Sequence, residues 1–223
     1  MATIEGSDGS AGGPVGGDHY LVPARDAEAT LEIKGSRFLG WVRRVGSEED
    51  ARAYVADARH LHWDARHHCS AFVIGSDGAL QRSNDDGEPS GTAGAPMLDV
   101  LVRREVRDVV AVVTRWFGGT LLGAGGLVRA YSDTTAAALD AAGLLRRELR
   151  TRVEIRVSHS EAGKVENEVR ARGVEVLGVE YGAGSVVLAV AAWPEAVTFL
   201  GELVATLTRG SGDVAPGETF WVP

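Results

Sequence analysis

The fold of this chain is decided by the segment from Arg115 to Ser132, whose sequence is RWFGGTLLGAGGLVRAYS. It follows the apolar run from Val109 to Thr114, which predicts a buried strand. It then leads into apolar residues at helical spacing up to about Ala142. A strand, a glycine-rich loop and a helix in this order predict an α/β unit. The same order is typical of anion sites, because backbone N–H groups converge at the start of a helix.

Two arginines would add charge-assisted bonds to phosphate at such a site. The candidate anion or nucleic-acid contacts are Arg115, Gly118, Gly119, Gly123, Gly125, Gly126, Arg129, Tyr131 and Ser132. The segment contains neither a P-loop lysine nor a strict GxGxxG with an acidic ribose partner, so nucleotide binding of those kinds is not indicated. In the alternative interpretation, the glycines allow the helix to pack closely on the sheet, and Arg129 pairs with a carboxylate of the preceding polar loop.

That polar loop, NDDGEPSGTAG at residues 84–94, is the second candidate site. It brings together the carboxylates of Asp85, Asp86 and Glu88 and the hydroxyls of Ser90 and Thr92. The carboxylates are weak candidates for a Mg²⁺ site or a general base. Alternatively, they satisfy the loop's own backbone N–H groups while glycines supply positive φ angles. The spacing matches no known metal loop, so no metal site or cofactor is assigned.

Composition excludes several classes of protein. The 223 residues carry a net charge of −8, so a broad basic surface for nucleic acid is not expected. The single cysteine excludes an internal disulfide and fits a reducing compartment. No apolar run reaches the roughly 20 residues of a bilayer span, and no signal peptide is apparent. We therefore expect a cytoplasmic protein with no membrane partner. Despite their proximity, no catalytic or metal role is predicted for His60, His62, Asp64, His67, His68 and Cys69.

The chain divides into a glycine-rich tail and two folded parts. The composition of residues 1–18 predicts a disordered tail. Residues 19–146 are predicted to form a first domain, and residues 149–223 a second one. The first alternates strands and helices around the two loops. The second has the strand and helix order βαββαβ, which is typical of a ferredoxin-like domain. The expected class is therefore α+β with two domains.

The two loops also carry a family resemblance. The segments DDGEPSGTAG (85–94), RWFGG (115–119) and LGAGGLVRAY (122–131) resemble the signature of the IMPACT/YigZ family. The resemblance extends from Lys34 to about Leu145, and the remainder is similar to the small C-terminal domain of bacterial members. It implies a ribosomal-protein-like N-terminal domain with a left-handed βαβ crossover, followed by a ferredoxin-like domain. Ala95 and Arg66 depart from the pattern, standing where relatives often have a basic residue and a threonine.

The resemblance also implies a functional direction, because eukaryotic members act in translational control. The leading hypothesis is a non-enzymatic cytoplasmic regulator that binds the ribosome, RNA or a translation-related protein through the two loops. Arg115 and Arg129 would then contact phosphate. A second hypothesis is a metal-assisted enzyme or binder acting on a phosphorylated small molecule, with a cation held by Asp85, Asp86 and Glu88. A third is a protein-interaction module in which both loops are structural.

Overall fold

The computed structural model describes residues 19–223, and the tail predicted for residues 1–18 lies outside them. The chain divides into two compact units, the first ending at Arg146 and the second spanning Arg147–Pro223. Both units combine helices with an antiparallel sheet, which confirms the predicted α+β class. No helix among residues 19–223 is long and apolar enough to span a bilayer.

The first unit is built on a five-stranded sheet. The elements of this unit are β1 (His19–Pro23), β2 (Ala27–Ile33), β3 (Ser36–Arg44), α1 (Glu48–Leu61), β4 (His67–Ile74), β5 (Leu80–Asn84), α2 (Gly94–Arg103), β6 (Val109–Trp116) and α3 (Ala124–Ala142). The strand order is β2-β3-β6-β4-β5, and every neighbouring pair is antiparallel. Since β3 and β4 both run antiparallel to β6, they are parallel to each other, and α1 connects them.

The central strand β6 is buried on both faces, as its apolar sequence predicts. Val109, Ala111 and Val113 belong to the core formed with α2 and α3, whereas Val110 and Val112 belong to the core formed with α1. This alternation follows from the two-residue period of a strand. The sheet is therefore sandwiched between α1 on one side and α2 with α3 on the other.

The helix ends follow local sequence signals. Ser47 caps α1, since its Oγ accepts a 3.1 Å hydrogen bond from the backbone N–H of Asp50. Gly143 ends α3 with a φ of +65°. The start of α3 differs, because Gly123 precedes it and supplies no side-chain cap. Its first turn also contains no acidic residue.

The second unit contains a four-stranded antiparallel sheet with two helices on one face. The elements are β7 (Leu144–Val157), α4 (His159–Ala171), β8 (Glu175–Tyr181), β9 (Val186–Ala192), α5 (Ala196–Thr208) and β10 (Asp213–Val222). The strand order is β10-β7-β9-β8. Val165 of α4 and Leu200 of α5 pack against Ile155 and Leu188 of the sheet. This topology confirms the predicted ferredoxin-like arrangement.

Some strands lie outside the segments that periodicity predicts or extend beyond them. No strand was expected at His19–Pro23, but the carbonyl of Leu21 accepts a 2.8 Å bond from the N–H of Arg107, which fixes β1 in place. Periodicity predicts the first strand of the second part only over residues 152–157, whereas β7 begins at Leu144. Charged residues between these positions obscure the alternation, and pairing with β10 imposes the extended backbone there.

Candidate functional site

A buried ion pair ties the acidic loop (residues 84–94) to the elements on either side of the glycine loop (residues 117–126). Nη1 of Arg115 donates to Oε1 of Glu88 across 2.6 Å, and the two side chains are only 7% and 4% exposed. The Tyr131 hydroxyl donates to the same Glu88 oxygen across 2.7 Å. Burial raises the pKa of Tyr131 well above its usual range, so the hydroxyl remains a donor. Glu88 thus ties the acidic loop to both β6 and α3.

This pair corrects the alternative interpretation of the arginines. That interpretation paired Arg129 with the acidic loop, but Arg115 is the partner of Glu88. Arg129 is exposed on α3 and has no ion pair with any residue from 19 to 223. Arg115 is therefore not expected to contact phosphate, because Glu88 already neutralises its charge. Of these two arginines, only Arg129 has a guanidinium without a counter-charge from residues 19–223.

Asp85 caps helix α2 from outside the helix. Its Oδ1 accepts from the backbone N–H groups of Ala93 and Gly94, at 3.0 and 2.8 Å, and its Oδ2 accepts from that of Gly91 at 2.8 Å. Burial raises the pKa of Asp85, but these three bonds lower it more, so the net pKa lies below its usual value. The carboxylate is therefore a structural cap for a helix whose own N-cap residue, Ala93, has no suitable side chain.

Asp86 links the acidic loop to α1 and β4. Its Oδ1 accepts a 2.5 Å bond from Arg59, and its Oδ2 accepts a 2.6 Å bond from the backbone N–H of His68. The Asp86 carbonyl lies 2.9 Å from Nδ1 of His67. With Asp85 and Glu88 also engaged, each of the three carboxylates has a protein partner.

The two hydroxyl residues of the acidic loop have different surroundings. Thr92 is buried, and its Oγ1 donates to the carbonyl of Pro89 across 2.6 Å. Ser90 is exposed at the tip of the loop. Thr92 therefore stabilises the turn, and Ser90 is the hydroxyl that faces solvent.

No group of residues within 19–223 combines three side chains able to hold a metal ion. Cys69 is buried, and its Sγ donates to the carbonyl of Asp85 across 3.0 Å. Burial raises the pKa of this thiol far above its usual value, so it is protonated at neutral pH. Nε2 of the neighbouring His68 lies 3.1 Å from the His62 carbonyl rather than near the sulfur. This cysteine therefore lacks an activating base.

The glycines of the glycine loop serve different purposes. A Cβ at Gly118 would lie 1.9 Å from the backbone carbon of Gly35, so only glycine fits there. Gly119 and Gly123 have φ angles of +86° and +72°. A Cβ at Gly126 would lie 3.1 Å from that of Leu122. Gly125 has open space around its Cβ position and does not adopt a positive φ, so the fold does not require glycine there.

Cations flank the start of α3. Lys34, from the turn before β3, and Arg129 line one shallow depression together with Gly125, Gly126 and Asp133. Lys34 was not among the predicted contacts, because it is distant in sequence and only the tertiary fold brings it here. Ser132, which was predicted, is half-buried farther along α3.

A cleft along the glycine loop contains residues that sequence reasoning missed. Arg66, Phe117 and Leu121 line it together with Glu88 and Arg115. Phe117 is 49% exposed and Leu121 is 83% exposed. The available signal was several large apolar residues close together in one glycine-rich loop, because contiguous exposed apolar patches often mark binding sites.

Comparison with known proteins agrees with this architecture. The Impact N-terminal domain matches residues 34–139, and a domain of unknown function, DUF1949, matches residues 155–211. IMPACT family member YvyE of Bacillus subtilis is 38% identical over 203 residues, covering 91% of this chain and 93% of that protein. IMPACT family member YigZ of Escherichia coli is 45% identical over 124 residues, covering 55% of this chain and 61% of that protein.

A solved structure also matches along most of the chain. The crystal structure of a hypothetical protein superimposes with a TM-score of 0.60 at 35% identity, and the match covers 90% of this chain and 98% of that one. Each matched domain falls within one of the two units described above. On the strength of near full-length similarity to YvyE, this chain belongs to the IMPACT family.

Proposed function

We propose that this protein is a non-enzymatic cytoplasmic regulator associated with translation, and that it binds ribosomal or other structured RNA through the start of α3. The observation that supports this function best is the uncapped N-terminus of α3, with Gly125 at its first turn and Arg129 and Lys34 beside it. Family membership adds a link to translational control through the resemblance to eukaryotic relatives.

The physical argument concerns a phosphate at this helix end. The first backbone N–H groups of a helix have no partner within the helix, and the helix dipole adds positive potential there. Neither a capping side chain nor an acidic first-turn residue competes for these groups. Arg129 and Lys34 would supply the counter-charge, whereas Asp133 is the one acidic residue lining the same depression. A local site of this kind is compatible with a net charge of −8, because it needs few phosphate contacts.

The engaged groups of the acidic loop favour binding over catalysis. Each of its carboxylates is occupied by helix capping or an ion pair, so none is poised as a base or as one ligand of an open cation site. In this proposal the acidic loop supports the glycine loop, and the glycine loop makes the contact.

The test is cosedimentation with ribosomes, and separately with structured RNA, across a salt series. The informative variant is Gly125→Ala, because its methyl group would point toward the helix N-terminus, where a phosphate oxygen would approach. The fold accommodates this methyl group. Gly163→Ala is the matched control, since Gly163 is also a helical glycine with open space around its Cβ position. Arg129→Ala tests the charge.

The proposal expects salt-dependent binding that Gly125→Ala weakens and Gly163→Ala leaves unchanged. Arg129→Ala should lower the slope of log affinity against log salt by about 1, as for one lost phosphate contact. Binding that is absent, independent of salt, or equal in all four proteins would contradict it. Arg115 is not replaced in this test, because loss of its buried pair with Glu88 would disturb the fold.

A further inference from the structure

A cavity lies between α1 and the edge strand β5, on the face of the first sheet that α1 covers. It has a volume of about 310 Å³, at the lower end of the usual range for ligand sites. The helix packs on the neighbouring strands, where it contacts Phe72 of β4 and Val112 of β6. Strand β5 is the last strand of the sheet and lies beyond β4. The space above β5, beside the helix, is this cavity.

The floor of the cavity is polar, although a sheet face covered by a helix is normally apolar. Ser70 and Phe72 of β4 lie opposite Asn84 and Arg82 of β5, so the four side chains share one face of the sheet. Only Phe72 is apolar and joins the core beneath α1. The other three add nothing to that core, which makes them candidates for contacts with a ligand.

Three arginines surround this floor. Arg82 comes from β5, and Arg52 and Arg59 lie on the face of α1 that borders the cavity. Their spacing of seven residues, two turns of a helix, places both on that face. No acidic residue lines the cavity within the part of the chain that the structure describes. The cavity is therefore a local cationic site in a chain whose net charge is −8.

Strand β5 supplies two accessible donors that lack an acceptor. Arg82 is exposed and has no ion pair among residues 19–223, and its Nη1 donates only to the carbonyl of the adjacent Gln81. The side-chain oxygen of Asn84 accepts a 2.7 Å bond from the backbone N–H of Asp86. That bond orients the amide and leaves its NH₂ group without a partner in the described chain. Both residues are exposed, so a ligand in the cavity can reach them.

The two helix arginines are paired at the rim but keep free donors. Arg59 uses Nη2 for Asp86, and Arg52 uses Nε and Nη2 for Glu48. A guanidinium has further N–H groups, and these side chains are 48% and 68% exposed, so the remaining donors are accessible. Because three guanidiniums face two carboxylates, the site keeps one net positive charge before any ligand binds.

A terminal phosphate matches this set of donors. It has three acceptor oxygens and a charge of about −1.5 to −2 at neutral pH, so it can accept from arginines on two different elements at once. A carboxylate or a backbone phosphodiester has only one negative charge and fewer free oxygens. Val55 and Ala56 of α1 form an apolar wall beside the donors. An organic group resting on that wall would gain free energy by leaving water.

We propose that this cavity binds the terminal phosphate of a small organic phosphate ester. The three arginines and the Asn84 amide donate to the phosphate oxygens, and the organic group packs against Val55 and Ala56. None of these residues lines the depression at the start of α3, so this proposal does not rest on the proposed function.

Isothermal titration calorimetry of the full chain tests the proposal with three probes. Phenyl phosphate carries both parts of the ligand, inorganic phosphate lacks the organic group, and methyl phenyl phosphate is a diester with a single charge. Arg82→Gln removes the unpaired cation at an exposed position, where the fold should be unaffected. Arg44→Gln is the matched control, because Arg44 is also an exposed strand arginine without an ion pair among residues 19–223 and does not line the cavity.

We expect phenyl phosphate to bind about tenfold more tightly than either other probe, and Arg82→Gln to weaken its binding about tenfold. Arg44→Gln and Gly125→Ala should bind phenyl phosphate like the wild type. No binding at millimolar concentration, equal binding of the diester or of inorganic phosphate, or an unaffected Arg82→Gln variant would overturn the proposal. Binding weakened by Gly125→Ala but not by Arg82→Gln would place the phosphate at the start of α3 instead, which would also overturn it.

Discussion

Replacing Arg115 by methionine should be strongly destabilising, because it leaves the Glu88 carboxylate buried without its counter-charge. The two groups are 2.6 Å apart and their side chains are 7% and 4% exposed, so solvent cannot replace the lost interaction. Breaking a buried pair from one side costs about 3 to 5 kcal/mol. Glu88 would retain only the hydroxyl of Tyr131 as a donor.

A double-mutant cycle isolates the pair. Glu88→Gln keeps an acceptor for Tyr131 but leaves the Arg115 charge buried, so it should also be destabilising. The double variant removes both charges and should recover about 2 kcal/mol relative to the sum of the single changes. Arg129→Met is the control, since it removes an exposed and unpaired arginine and should change stability by less than about 0.5 kcal/mol.

The assay is urea unfolding, followed by circular dichroism, with hydrogen exchange of the β6 amides assigning the transition to the first unit. If the two single changes are additive within about 0.5 kcal/mol, the two side chains do not interact as described. Equal losses for Arg115→Met and Arg129→Met would refute the assignment of Arg115 as the structural arginine.

Three further outcomes are expected. Asp85→Ala should destabilise the fold by about 1 to 2 kcal/mol. The net pKa of Asp85 is lowered on folding, so its contribution is complete above the unfolded pKa and is lost as pH falls through the folded one. The free energy of unfolding should therefore fall less steeply with decreasing pH in this variant than in the wild type below about pH 4. An unchanged slope would contradict the capping role. Burial raises the pKa of Cys69, so a thiol reagent should modify it much faster after denaturation than before, and equal rates would argue against burial. Gly118→Ala should destabilise by about 3 kcal/mol through its clash with Gly35, whereas a thermal melt matching the wild type would refute that contact.

Much of the fold could be predicted because its signals are local. The apolar run from Val109 to Thr114, which lies within β6, and the strand and helix order of the second unit follow from periodicity, which neighbouring residues alone determine. Strand β1 and the first half of β7 could not be predicted in this way. Their extended backbone depends on partners far along the chain, such as Arg107 for β1 and β10 for β7.

The candidate site shows the same division. Composition and turn chemistry singled out both loops, and the structure places residues of both along one cleft. The individual roles within them could not be assigned from sequence. Asp85 follows the expected capping chemistry of a loop carboxylate, but its partners lie up to nine positions away and begin a different helix. Lys34 lines the depression at the start of α3, and Arg66 lines the cleft along the glycine loop. Both reach these places only because the fold packs distant turns together.

By itself, the sequence determined the α+β class, the ferredoxin-like order of the second part and the two loops that are candidate sites, because local periodicity and composition encode these features. Only the tertiary structure decided which arginine is structural and which is available. Arg115 and Glu88 are 27 positions apart, and their pairing depends on how β6 lies beneath the acidic loop. Charge type can be read from a residue's name, whereas burial and partners are properties of the packed chain.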